Sequence, residues 1–428
     1  MKEKYMNLKK IFRREKKDNP AAPLLVQFSA HQPKFTPRQY DKLAYEGYQK
    51  NVIAYRCIRL ISQTAAAVPF ALYQGKGANR MRLHDHPLLD LLSRPNPTQG
   101  GAELFEALYA FSLIAGNTYL EAVGPAGASP RELWTLRPDR MRVIPGVQGV
   151  PEAYRYTVDG KWVDFPVDPL SGRAHVLHIR HFHPLDDWYG MSPIEAAAVS
   201  IDQHNDAARW NASLLQTGGR PSGALVYSPS TPDSPDTLTT EQRQILKGEL
   251  ERFFTGHDNA GRPLVLEGGL DWKEMSLSPK DMDWLAGKDV SAREIALAFH
   301  VPSQLIGIAG SQTFANFEQA RLALFDDAVL PLIDHVKDAL NNWLTPQFGD
   351  DLEIEYDVDK VEALNLRRQQ VWDRLSTASF LTLNEKRAAL GYAPVAGGDC
   401  IMDAKGNLVA DADHDGDETG ADADHDGD

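Results

Sequence analysis

The residues with the most suggestive chemistry lie near residue 410. Ala410-Asp411-Ala412-Asp413-His414-Asp415-Gly416-Asp417 recurs letter for letter at 421–428. Asp411, Asp413, Asp415 and Gly416 fall at positions 1, 3, 5 and 6 of a calcium loop, where oxygen ligands and a sharp turn are needed. Position 12, however, is Asp422 and not a bidentate glutamate, and no helical pattern flanks the repeat. The favoured reading is a solvated acidic tail that binds cations weakly and without selectivity, over a structured calcium site.

Other candidate chemistry dissolves on inspection. Gly190-Met191-Ser192-Pro193-Ile194 starts like a nucleophile elbow but lacks glycine at its fifth position and precedes a helix with no evident histidine partner. His175, His178, His181 and His183 crowd into nine residues. The segment reads as a strand, so a period of two puts His178 on the face opposite the other three, and ordinary strand histidines are expected rather than a metal set. No G-x-x-x-x-G-K-[ST] phosphate loop occurs, and Gly75-Lys76-Gly77 lacks the third glycine of a dinucleotide loop. No catalytic residue and no cofactor are expected.

The 428 residues, 43% apolar and 24% charged, suit two or three domains around a sizeable core. Two cysteines far apart, Cys57 and Cys400, argue against a disulfide-built secreted scaffold. No apolar run reaches the ~18 residues of a membrane span. The net charge of −14 is uneven: residues 1–17 carry +6 and residues 410–428 carry −9, leaving −11 in between. An acidic body grips duplex DNA poorly, which does not exclude a surface that lets DNA slide past without sticking. The basic arm shows no packing face and reads as solvated; Met6 is an alternative start.

The elements that must position any site fall into two halves. Order is expected from about residue 40. Val52, Tyr55, Ile58, Arg59, Ser62, Ala65 and Ala66 have helical spacing, and a strand over 68–73, a short helix over 86–92 and a helix over 102–115 follow. Strands are expected at 118–123, 133–136, 140–144, 154–158 and 176–180, giving an α+β domain with an antiparallel sheet. The second half opens with one long helix over 193–217. A strand at 222–227 and a helix at 239–254 follow, the latter with a Thr239…Gln242 capping box. A hairpin is expected between 263–267 and 270–277, around Gly268-Gly269. Beyond lie a helix at 279–300, a glycine-bearing segment at 307–313 and a long helix at 315–344. Pro331 should kink that helix, because it removes one bond and clashes with the carbonyl of Asp327. A strand at 352–356 and helices at 360–378 and 382–390 complete the order.

This order, with a set of short motifs, resembles the portal proteins of long-tailed double-stranded DNA phages and of gene transfer agents. The resemblance spans about residues 45–395. The motifs are His86-Pro87-Leu88 with Arg94-Pro95-Asn96-Pro97, Ala115-Gly116-Asn117-Thr118-Tyr119, and Val176-Leu177-His178-Ile179-Arg180 leading to Tyr189-Gly190-Met191-Ser192-Pro193-Ile194. Val301-Pro302-Ser303-Gln304-Leu305-Ile306-Gly307, Phe314-Ala315-Asn316-Phe317-Glu318-Gln319 and Leu330-Pro331 complete them.

The resemblance implies a ring, usually of twelve subunits, at a unique capsid vertex of a virion or phage-like particle assembled in the host cytoplasm. Double-stranded DNA passes through its channel without sequence specificity. The implied partners are further copies of the chain, the terminase large subunit, a head–tail adaptor and the major capsid protein, with no membrane. By order, a basic arm (1–44) precedes a wing (45–190, with a strand at 350–357). Stem helices (191–218 and 279–300) flank a clip (219–278). A tunnel-loop region (301–316), a kinked tunnel helix (317–349), a crown (358–395) and an acidic disordered tail (396–428) follow. The tunnel-lining candidates are Gly310, Ser311, Gln312, Thr313 and Asn316, small or neutral-polar residues able to touch phosphates without gripping them. Glu249 and Glu251 on the clip helix are the docking candidates, and the tail lies outside the family's pattern. Two rivals are weaker. A DNA-processing enzyme such as the terminase itself would need a phosphate loop or an acidic metal cluster, and a secreted calcium-repeat protein would need a signal and a longer repeat.

Overall fold

The computed structural model describes residues 35–37, 39–75, 80–125, 127–216, 223–228, 238–254, 270–274, 284–308, 314–357, 360–361, 365–390, 392, 394–402 and 408–409. The first described helix, α1 (Tyr40–Leu43), starts at about residue 40 and widens into a π-helical turn at Ala44–Gln49. Helix α2 (Val52–Ala66) starts at Asn51, whose Oδ1 accepts from the N–H groups of Ile53 and Ala54 at 3.0 Å each. That cap satisfies two donors that otherwise have no partner within the helix. Strands β1 (Phe70–Gln74) and β2 (Met81–Leu83) follow. Helix α3 (Pro87–Ser93) has proline at its first turn, where the missing N–H costs nothing.

Helix α4 (Gly101–Ala115) stops at Gly116, which sits at φ +68°. Strands β3 (Asn117–Val123), β4 (Glu132–Leu136), β5 (Met141–Pro145), β6 (Pro151–Val158), β7 (Lys161–Pro166) and β8 (Val176–Arg180) then build two antiparallel sheets, ordered β4-β3-β8 and β5-β6-β7. Sequence reading gave one sheet and missed β2 and β7. Strand β7 carries Trp162 and Val163 in exposed positions, so alternation gave no signal there.

The expected helix over 193–217 is broken: α5 (Pro193–Ala196) ends at Ala197 and α6 (Ala198–Gln216) continues. Strand β9 (Gly223–Tyr227), α7 (Thr240–Phe254) and β10 (Leu270–Glu274) follow. The capping box at α7 forms as read, with Thr239 N–H to Gln242 Oε1 at 2.9 Å and Gln242 N–H to Thr239 Oγ1 at 3.3 Å. Strand β10 pairs with β9, Leu270 opposite Tyr227. The expected partner strand at 263–267 lies outside the described residues.

Helix α8 (Trp284–Ala298) precedes the long helix, which is not one helix but three pieces. A π-helical turn at Phe325–Val329 separates α9 (Phe314–Leu324) from α10 (Leu330–Trp343). The Leu330 N–H reaches back five residues to the Phe325 carbonyl, immediately before Pro331, which has no N–H to give. The irregularity expected from the proline is thus taken up by a widened turn just ahead of it. Strand β11 (Leu352–Tyr356) returns to pair antiparallel with β1, Ile354 opposite Leu72. Helices α11 (Asn365–Thr377) and α12 (Leu383–Ala389) and a small pair, β12 (Ile401–Met402) with β13 (Leu408–Val409), complete the described chain.

One hydrophobic core unites both halves. Ile58 of α2, Leu108 of α4, Leu120 of β3, Ile295 of α8, Val329 of the π turn, Ile333 and Val336 of α10 and Ile354 of β11 are all fully buried within it. A smaller cluster of Tyr119, Leu136, Met141 and Val176, flanked by Tyr154, Tyr156 and Phe165, ties the β5-β6-β7 sheet to its neighbour.

Candidate functional site

Two of the motifs quoted above, 115–119 and 176–194, meet at one junction, where the β4-β3-β8 sheet approaches α5 and α10. Its centre is Asn117, 6% exposed and the first residue of β3. The Asn117 Nδ2 donates to the carbonyls of Ala115 (2.8 Å) and Gly190 (3.2 Å). Its Oδ1 accepts from the Gly190 N–H (2.8 Å) and from His178 Nε2 (3.0 Å), which must therefore carry the proton. One amide thus satisfies a helix end, both sides of a buried glycine and a strand histidine. Left unpaired, such buried groups would cost about 1–3 kcal/mol each.

The backbone approach requires glycine twice. A Cβ on Gly190 would stand 2.2 Å from the Gly116 carbonyl oxygen and 2.6 Å from the His181 nitrogen. A Cβ on Gly116 would stand 2.5 Å from the Gly190 oxygen, in a left-handed backbone that side chains rarely adopt. Ser192 closes the junction as the cap of α5, its Oγ accepting from the Glu195 N–H at 3.0 Å. The near-match to a nucleophile elbow is therefore a helix cap.

The histidines divide by partner. His178 stacks on Tyr119 at 4.3 Å and meets the edge of Tyr154, and burial pushes it down to about 3, so it is neutral. His181 lies beyond the strand, 2.8 Å from Ser112 Oγ, and stacks on His335 of α10 at 5.4 Å. Burial, and secondarily His335, push it down to about 4. His335 Nε2 in turn reaches the Arg180 carbonyl at 3.1 Å, so α4, β8 and α10 are linked through rings. Among the described residues no three His, Cys, Asp or Glu side chains are placed to hold a metal. Beside this junction lies a cleft of about 530 Å³, floored by Ile61, Phe299 and Leu332 and rimmed by Phe182, Asp327, Pro331 and His335.

A second polar clamp secures α6. Both Asp202 carboxylate oxygens accept from Thr36, through its N–H and its hydroxyl. Asn51 Nδ2 donates to Asn205 Oδ1 at 3.1 Å and approaches His204 Nδ1 at 3.3 Å, while Asn205 Nδ2 donates to the Glu46 carbonyl. Burial, with Lys288 adding to it, lowers the His204 pKa.

Of the residues proposed from sequence, Asn316 is half-buried in the first turn of α9. Gly310, Ser311, Gln312 and Thr313 lie outside the described residues, as do Asp411, Asp413 and Asp415. Glu249 and Glu251 lie on α7. The described hydrogen bonds of Asn117 do not include Asn316, and sequence reasoning missed the Asn117 junction. Its only signal was that Asn117 and Gly190 each belong to a quoted motif.

With this geometry in hand, the comparisons are specific. The family model for phage portal protein matches residues 53–391. A Rickettsia bellii protein is 41% identical over 360 residues, covering 84% of this chain and 91% of its own. The portal protein of Enterobacteria phage HK97 is 24% identical over 362 residues, covering 81% of this chain and 80% of its own. Among solved structures, a chain from the neck of the native gene transfer agent particle, computed with C12 symmetry, superposes with a TM-score of 0.63. It is 44% identical and covers 86% of this chain and 97% of that one.

Proposed function

The chain belongs to the phage portal protein family, and we propose that twelve copies close into the ring through which double-stranded DNA enters and leaves a capsid. It acts as a portal protein at the capsid vertex of a virion or gene transfer agent particle. The likeness to the neck chain, at 44% identity over most of both lengths, carries this reading.

Within the ring, the α2–β8 region with β11 serves as the wing and meets the major capsid protein. Helices α6 and α8 form the stem, and residues 317–349, from α9 through its π turn and α10, form the tunnel helix. Residues 358–395 form the crown. The β9–α7–β10 segment serves as the clip, where a terminase large subunit docks first and a head–tail adaptor later, at a face that includes Glu249 and Glu251. Gly310, Ser311, Gln312, Thr313 and Asn316 line the channel, neutral so that passing phosphates are not held. The family is structural, and the chain itself turns over neither ATP nor DNA.

Deletion of residues 309–311 tests the channel assignment. Ile308 stays, because it is buried and its N–H reaches the Ser303 carbonyl. Rings should persist under the electron microscope while packaged DNA per particle falls. Loss of rings with normal filling of the remaining heads would refute the assignment.

A further inference from the structure

A ring built from one kind of chain needs two different, complementary faces on each copy. Helix α2 separates two surfaces that meet this requirement. Ile61 points into the 530 Å³ cleft. At about 100° per residue, Val52, Tyr55, Arg56, Arg59 and Gln63 centre on the side roughly opposite Ile61. Val52 is 66% exposed there, with Tyr55 and Arg56 beside it. The Arg59 guanidinium donates to the Tyr55 hydroxyl at 2.8 Å and is thereby pre-positioned. Tyrosine and arginine around a small apolar patch form the composition that dominates protein interfaces.

The cleft side carries the opposite character. Phe182 is 86% exposed at its rim, and Leu185 of the same loop is 92% exposed. Asp327 stands on the same rim, one turn before Pro331. Among the described residues neither Arg56 nor Asp327 makes an ion pair. Two unmatched charges of opposite sign, on opposite sides of one helix and each beside uncovered apolar surface, are what a head-to-tail contact would join.

We propose that the Tyr55–Arg56–Arg59 face of one copy seats against the Phe182–Asp327–His335 rim of the next copy, with Arg56 paired to Asp327 across the contact. This inference rests on the ring reading above. It deepens that reading by naming the side-to-side interface. A second copy is the occupant because the charges complement each other and because a closed ring buries both faces of every subunit.

Charge reversal tests it on the full chain. Arg56→Glu alone and Asp327→Arg alone should each raise the concentration at half-assembly by about tenfold, and the double reversal should return it to near the wild-type value. Circular dichroism would check that each variant stays folded. A second measurement uses Arg56→Cys and Asp327→Cys in a Cys400→Ser background, joined by a short bismaleimide. Cys57 is buried, its thiol pushed up to about 12, and stays out of the reaction. Chains carrying both cysteines should give a covalent ladder, a mixture of the two single variants only dimers, and either single variant alone none. Wild-type rings with single reversals that assemble normally, or with no ladder, would overturn this interface and leave the ring reading standing. A wild-type chain that forms no ring would overturn both.

Discussion

The Asn117 junction and the β9–α7–β10 segment show two ways of using the same kinds of residue. At the junction the polar groups satisfy one another: a buried amide makes four hydrogen bonds. In the segment, β9 and β10 pair only with each other among the described residues, and a two-stranded sheet is marginal by itself. Helix α7 leaves Ile245 48% exposed. The first region is self-sufficient; the second, in the docking role proposed for it, presents surface for a partner to complete. The difference separates residues that hold a subunit together from those that hold an assembly together.

The largest expected effects break the first region. Gly190→Ala forces a Cβ into three backbone atoms and should lower unfolding free energy by about 4 kcal/mol, and Asn117→Ala by about 3 kcal/mol, read from urea midpoints. The matching change in the second region, Ile245→Asp, should move stability by no more than about 0.5 kcal/mol. Equal losses from Asn117→Ala and Ile245→Asp would erase the distinction.

Acid should act on the first region next. His178 and His181 have ordinary values of 6.5 and are held down to about 3 and about 4 by burial. Above pH 6.5 both are neutral, folded or not, and their contribution to stability is intact. As pH falls below 6.5 the unfolded chain takes up protons that the folded one refuses, so stability falls. At pH 5 each should cost roughly 2 kcal/mol. Urea melts at pH 7 and pH 5 would show the loss, and His181→Gln should remove about half of it.

Smaller effects fall on the second region. Glu249→Lys with Glu251→Lys should leave ring stability within about 0.5 kcal/mol while weakening terminase or adaptor binding measured by pull-down with the purified partner. Smallest of all is truncation after Val409, which keeps the β12–β13 pair and should leave ring yield unchanged. Its effect should be confined to DNA release across magnesium and calcium concentrations. The acidic repeat repels phosphates only within ~8 Å at physiological salt, and identical release curves would leave the tail without that role.

The sequence made the periodic parts legible. The α2 spacing, the α7 capping box and β8 emerged with nearly their final bounds because each rests on short-range pattern or chemistry. Pro331 announced an irregularity, but whether it would appear as a bend or as a widened turn depends on packing of Phe325 and Val329 in the core. The break at Ala197 carried no Gly or Pro signal. The Asn117 junction stayed hidden because its partners are 61 and 73 residues away. Even with both motifs in view, only the fold reveals that one amide serves both.

The most direct measurement is negative-stain electron microscopy of the purified chain. The account predicts closed rings with a central hole, of twelve subunits when averaged from above. Isolated globular particles, or solid oligomers with no hole, at concentrations where the protein is folded would contradict it.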